Sequence, residues 1–252
     1  MKVCHQWSLP KQVMLIIALS TIFSFINFAH TPMAMYLSQY GIFSVFSVLI
    51  ILKAIGGPRF FYHRLSDKRI NLLNLLSCLS FLFIMLICKT PISFWVALHS
   101  KDSLLIAATA VTAGVFEESF FRGLLFSVII RSSRKSYRHF TLTYSAILSS
   151  LLFGLYHFIN FTGDNLVPVM VQVGYAFSFG LFFCFSKIAF NTLLVPIILH
   201  VYIDLQATTL NSVTTSINWL IGLLIFLPLI MSTIIYLLAV DKHLKSTYVT
   251  VS

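Results

Sequence analysis

Eight stretches of this 252-residue chain are long and almost wholly apolar, near residues 12–29, 35–54, 71–88, 104–130, 141–160, 166–186, 189–209 and 217–240. That pattern leaves few folds open. A helix needs about 20 mostly apolar residues to cross a hydrocarbon core roughly 30 Å thick. Inside the core every backbone N–H and C=O must find its partner within the protein, which helices do locally. The expected fold is all-α: a polytopic membrane protein of about eight transmembrane helices, forming a single transmembrane domain over 1–252. Composition agrees, with 58% hydrophobic and 10% charged residues, 25 Phe and a mean hydropathy of +0.93. A chain of this length and composition has no room for a large soluble domain. It shows no soluble linker, low-complexity tract or clear internal repeat.

Two segments need separate treatment. The first apolar run follows Lys2 and Lys11 and resembles a signal peptide, but Phe and Ile fill its end and no small-residue cleavage pattern follows, so it is expected to be retained. The stretch 90–100 is too short to span and carries Trp95, which suits a membrane interface. Cys4, Cys78, Cys88 and Cys184 show neither metal nor disulfide spacing and read as small apolar fillers.

Charge orients the chain. Alternating sides from a cytoplasmic N-terminus, one set of loops holds fourteen Lys and Arg residues, from Lys2 to Lys245 and including Lys187, while the opposite loops hold Lys89 and Lys101. The positive-inside rule then places both termini in the cytoplasm. The net charge of +10 is accounted for by loop orientation and anionic lipid headgroups, with no nucleic-acid partner. On these limits Glu117 and His157 fall in the outer half of the membrane and His200 near its middle.

The only two glutamates of the chain, Glu117 and Glu118, stand side by side inside the run 104–130. A carboxylate at the bilayer centre costs about 2.5–3.5 kcal/mol on insertion scales, and intramembrane ionisable residues mark functional sites. With Arg122 they form E-E-x-x-x-R. On a helix Glu118 and Arg122 are i,i+4 neighbours that can pair, while Glu117 lies about 100° away around the axis. One carboxylate is thus held and the other is free to face a cavity. A plain ion pair tying helices together needs one glutamate, not two.

The next run holds Phe153-Gly-Leu-Tyr-His157, and the seventh holds His200-Val-Tyr-Ile-Asp204, with His200 and Asp204 on one helical face. Each motif alone suits a hydrogen-bonded helix contact. Asp204 can fix the tautomer of His200, or both can face a reacting group. Together with Glu117, two imidazoles on successive spans make a hydrolytic set: a glutamate can take a proton from water, or Glu117, His157 and His200 can ligate zinc with a water position left open.

The three motifs, in this order on successive spans, resemble the CAAX protease and bacteriocin-processing (CPBP, or Abi) family of intramembrane proteases, which includes the type II CAAX prenyl endopeptidase. The resemblance covers a catalytic core of roughly 104–210. It implies that Glu117 activates water, that His157 assists, that His200 with residue 204 stabilises the oxyanion, and that Glu118 and Arg122 support the site. Eukaryotic members carry Asn where this chain has Asp204. An ionised aspartate would oppose a developing oxyanion, so Asp204 must be protonated, bind metal or orient His200. The implied function is a glutamate- or metal-dependent endopeptidase of the cell membrane, in a bacterium the plasma membrane. It would act on a peptide or membrane-anchored protein substrate, in peptide maturation or bacteriocin self-immunity.

Other intramembrane proteases are excluded by motif. There is no H-E-x-x-H, no G-x-G-D (Gly163-Asp164 follows Phe161-Thr162) and no G-x-S-x-G. The competing class is a non-catalytic immunity or scaffold protein, or a proton-coupled transporter. Transporters are commonly built from paired halves, which this chain lacks.

Overall fold

In a computed structural model the chain is described at residues 6–28, 33–61, 67–133, 140–161, 163, 166–205 and 219–249. Among these residues there is no strand. The helices are α1 (Leu9–Phe28), α2 (Met33–Ile55), α3 (Lys68–Ile87), α4 (Thr90–Leu98), α5 (Ser103–Glu118), α6 (Phe126–Ser133), α7 (Thr141–Tyr156), α8 (Leu166–Phe190), α9 (Leu194–Asp204) and α10 (Trp219–Val249). A π-helical segment, Ser119–Leu125, joins α5 to α6 without a break, and a 3₁₀ turn, His157–Asn160, ends α7.

Among the described residues seven helical stretches are long and apolar enough to cross a membrane, the α5–π–α6 unit counting as one. The helices bear this out by being apolar on their outward faces as well as inward. On α3, Leu72, Leu75, Leu79, Leu82 and Leu86 are all exposed, while Ile70, Phe81 and Ile84 are buried.

The expected span 189–209 is corrected: its described helix is α9, with 11 residues and a length of about 16 Å, short of a full crossing. The reason lies at its start. Asn191 adopts φ 52°, a left-handed conformation that asparagine tolerates and a helix does not. Its carboxamide oxygen accepts from the N–H of Phe60 and Phe61 at 2.9 and 2.7 Å, and its amide donates to the Phe61 carbonyl. The chain therefore turns at 191–193 before the helix begins. Residues 206–209 lie outside the described residues.

Lys187 is a second correction. It belongs to α8, not to a loop, and is buried against Phe60 and Phe126. The short segment before α5 behaves as expected: α4 spans nine residues, and Trp95 is exposed. Cys78, Cys88 and Cys184 are free thiols.

One face of the bundle is stitched together by polar contacts between helix ends. Gln12 donates to the Ala54 carbonyl at the end of α2, and Arg131 at the end of α6 donates to the Trp7 carbonyl and to Gln12. Asp241 of α10 accepts from the Leu142 and Thr143 N–H groups and from the Thr143 hydroxyl, so it satisfies orphan donors at the start of α7. Asp67 caps α3 through the N–H groups of Arg69 and Ile70, which hold its carboxyl below the usual range, and it lies 3.5 Å from His243 of α10. This is the end of the bundle where Lys53, Arg59, Lys68, Arg69, Arg131 and Lys242 lie; it is called the basic face below.

Candidate active site

The site is assembled from α5, the π segment, α7 and α9, with α8 as its back wall. Close helix approach makes it possible. A Cβ on Gly114 of α5 would stand 2.8 Å from Val201 Cγ2 and 3.1 Å from the Val201 nitrogen, so only glycine lets α9 lie this close to α5. That approach brings His200, next to Val201, level with the two glutamates. On α8, a Cβ at Gly180 would stand 2.9 Å from Arg122 Nη2. The missing side chain is the space that the guanidinium occupies.

Glu118 and Arg122 form the expected pair: Arg122 Nη1 lies 2.7 Å from Glu118 Oε1, and both side chains are fully buried. The guanidinium sits 4.1 Å from the Phe153 ring centroid and 5.1 Å from that of Phe183. Two aromatic faces replace water around a buried cation. The π segment begins one residue after Glu118, and such segments concentrate at functional sites. Its Arg122 carbonyl accepts a hydrogen bond from Lys187 Nζ. Lys187 thus anchors the segment that carries Arg122, a role the sequence reading missed. The signal was a single lysine one residue past the expected span end.

His200 is the centre of the cluster. Its Nδ1 lies 2.7 Å from Glu118 Oε1, its Nε2 is 3.3 Å from Asp204 Oδ2, and the same Nε2 is 3.7 Å from Glu117 Oε2. Glu118, already held by Arg122, accepts from Nδ1 and so fixes Nε2 as the nitrogen turned toward Asp204 and Glu117. The 3.7 Å separation exceeds a hydrogen bond. Glu117 is therefore beside the imidazole without being tied to it. The ring stacks on Phe183, centroids 5.3 Å apart at 17°, and meets Phe153 edge-on at 5.7 Å.

His157 joins the cluster through the same phenyl ring: it meets Phe153 edge-on at 4.9 Å. Its Nδ1 lies 2.9 Å from the Phe153 carbonyl, which makes Nδ1 the protonated nitrogen and leaves Nε2 as the one that can take a proton. Phe153, quoted above only as the start of F-x-x-x-H, touches Arg122, His157 and His200 alike and sets their spacing.

Glu117, Glu118 and Asp204 gather around His200, and Arg122 and His157 meet it across Phe153. The set Glu117, His157 and His200 does not form a metal-ligand group; among the described residues no three His, Cys, Asp or Glu side chains do.

The fold and the site define a class: a polytopic helical membrane protein with two adjacent carboxylates, a guanidinium and an imidazole buried between helices and a second, part-buried imidazole beside them. Residues 99–206 are similar to the family described as type II CAAX prenyl endopeptidase Rce1-like. The matched segment contains all six residues, and the similarity supports an intramembrane CAAX-type endopeptidase in general terms. No curated protein and no solved structure matches the chain.

Proposed function

We propose that this protein is an intramembrane endopeptidase in which Glu117 is the general base. The observation that carries the reading is the division of labour between the two glutamates. Glu118 is fully buried and spent on Arg122 and His200. Glu117, 8% exposed, lies 3.7 Å from His200 Nε2, within ion-pair reach but beyond a hydrogen bond.

A water beside Glu117 gives it a proton, and the hydroxide adds to the carbonyl carbon of the scissile peptide bond. The carbonyl oxygen becomes an oxyanion, which Nε2–H of His200 stabilises with the ring in its doubly protonated form, its Nδ1–H donating to Glu118. The C–N bond then breaks as the leaving nitrogen takes a proton from Glu117. His157, through its unprotonated Nε2, assists by relaying that proton. Asp204 orients the imidazole from the Nε2 side, and Arg122 holds Glu118 and hence the ring. Each step uses groups of this chain, and none runs through a metal ion. The substrate is a peptide or a membrane-anchored protein. Maturation of a peptide or self-immunity against a bacteriocin, at a bacterial plasma membrane, is the setting that fits a chain of this size and family.

The test is cleavage of candidate peptides co-reconstituted with wild type and with Glu117→Gln. Glutamine keeps shape and hydrogen bonding but cannot act as a base, so the rate should fall by about 10²–10⁴-fold with normal accumulation of protein. Full activity of that variant on a true substrate removes Glu117 from the mechanism. It would favour the second reading, in which the fully buried Glu118–Arg122–His200 network is a fold staple in a non-catalytic immunity protein.

A further inference from the structure

We infer that Tyr175 is a further positioning residue of this site: its hydroxyl, oriented by Gln172, is the donor that draws the Asp204 carboxylate off His200 Nε2. The inference rests on the endopeptidase reading for its effect on turnover; the contact itself stands on packing and hydrogen bonding.

Tyr175 comes from α8, the back wall of the site. One face of that helix reads Gln172, Tyr175, Phe179, Phe183 and Lys187, at spacings of three and four residues. Its C-terminal half is already part of the site. Lys187 bonds the Arg122 carbonyl beside Phe60, at the basic face, and Phe183 stacks on His200. Phe179 meets Phe183 and Tyr175, with ring centroids 6.3 and 6.4 Å apart. Tyr175 thus continues the stripe that backs His200. It does so in the direction in which α9, starting beside Leu193 and Pro58, carries Asp204. The ring is half-buried and packs against both hydrophobic clusters of the bundle, the one that holds Phe179 and Phe183 and the one that holds Phe116 and Phe153.

The hydroxyl has a fixed polarity. Asn160, in the 3₁₀ turn that begins with His157, donates from Nδ2 to Gln172 Oε1 at 3.1 Å. With its oxygen turned to Asn160, Gln172 presents its amide nitrogen to the Tyr175 hydroxyl, to which it is hydrogen-bonded. The phenolic oxygen accepts that bond, and its own O–H is left to donate. The Asp204 carboxylate bears electrostatically on this hydroxyl and can accept from it.

Asp204 requires such a donor. Its contact with His200 Nε2 is 3.3 Å, against 2.7 Å for Glu118 on Nδ1, and lies just past the usual range of an N–H···O bond. A carboxylate closed fully on Nε2 would occupy the N–H that the oxyanion needs and set a negative charge against it. A neutral donor from α8 holds Asp204 back while leaving it near enough to orient the ring. The relay Asn160–Gln172–Tyr175 also ties the turn that carries His157 to the end of α9.

A double-mutant cycle between Tyr175 and Asp204, in the reconstituted full chain, tests this on two readouts: cleavage of the peptides that wild type cuts, and melting temperature. Tyr175→Phe keeps the ring and its packing. It should lower kcat about tenfold, as loss of an orienting partner does, with KM within about twofold. It should also lower the melting temperature by a few degrees. In an Asp204→Ala background the same change should move neither quantity, because the hydroxyl has lost its acceptor. Gln172→Glu keeps the hydroxyl but replaces the amide donor by an acceptor, which turns the O–H away from Asp204. It should reproduce the Tyr175→Phe loss of kcat. Equal losses from Tyr175→Phe with and without Asp204 overturn the proposal, as does a Tyr175→Phe protein that matches wild type on both readouts. So does a Gln172→Glu protein that turns over like wild type. If wild type cuts no peptide, the protease reading falls alone, and coupling or additivity in the melting temperatures still decides the Tyr175–Asp204 contact.

Discussion

His200 is held between acids on both ring nitrogens, and that arrangement decides what its neighbours can do. Asp204 sits on the nitrogen that would meet an oxyanion, 3.3 Å away. Asn at this position can still accept from Nε2–H through its oxygen, and it adds an amide donor toward the reacting carbonyl. Asp204→Asn should therefore keep activity within about tenfold of wild type, a smaller loss than the roughly 10–100-fold typical when an orienting partner is removed outright. The pH–rate profile and metal content of the two purified proteins check this: loss of stoichiometric zinc together with activity would overturn the orienting role. Arg122 and Lys187 are both buried cations with opposite expected behaviour. Arg122→Ala leaves Glu118 buried without its partner and should cost about 3–5 kcal/mol of stability. Lys187 meets a carbonyl and two aromatic rings. Removing a buried ammonium in favour of an apolar group of similar volume is often neutral or stabilising. Lys187→Met should thus melt in detergent no lower than wild type while its turnover falls, because the π segment loses its anchor. A matched fall in melting temperature and turnover would make Lys187 a packing residue instead.

At the scale of elements, the site depends on helix spacing more than on helix propensity. α5 and α9 touch across Gly114 and Val201. Gly114→Ala forces its methyl group into Val201 and its backbone nitrogen, an overpacking that typically costs about 1–3 kcal/mol. The displacement falls on the residue beside His200, so cleavage should suffer more than stability. Val201→Ala in the same chain removes the 2.8 Å contact but not the 3.1 Å one to backbone, and should restore activity in part. Measuring kcat and melting temperature for the single and double variants checks both statements. The π segment belongs to this scale as well. It lets one continuous 31-residue apolar unit, Ser103–Ser133, carry the glutamates at its middle and still present Arg122 to Phe153 and Gly180.

The whole molecule divides into a stitched half and a working half. The basic end is closed by Asp241, Asn191, Asp67 and Arg131, each bonding across helices that are distant in sequence. The other end carries His157 and Asp204. Asp241→Ala removes three hydrogen bonds at the start of α7, and bonds to a charged acceptor contribute about 1.5–3 kcal/mol each at most. The melting temperature should drop by several degrees, yet the turnover per folded molecule should stay near wild type. His157, 16 residues from Thr141, stands at the far end of a helix about 24 Å long. A loss of turnover in the folded fraction would show that the two halves are coupled.

What the sequence determined by itself is whatever depends on local geometry or on the cost of charge in hydrocarbon. The apolar runs follow from the span length the bilayer demands, and the Glu118–Arg122 pair follows from i,i+4 spacing on a helix. The leftover glutamate was legible for the same reason, since adjacent residues cannot share one helical face. Tertiary structure decided everything that needs two distant segments at once. That Glu118 takes Nδ1 of His200, 82 residues away, has no sequence signature, because any buried acid on α5 would read alike. Lys187 was placed in a loop since a cation at the edge of an apolar run looks solvated until a carbonyl is found to meet it. The early start expected for α9 failed at Asn191, whose left-handed turn is held by Phe60 and Phe61, 131 and 130 residues away in sequence. Residue types set which charges had to be buried; packing of α5 against α9 across Gly114 decided which of them stayed free to act.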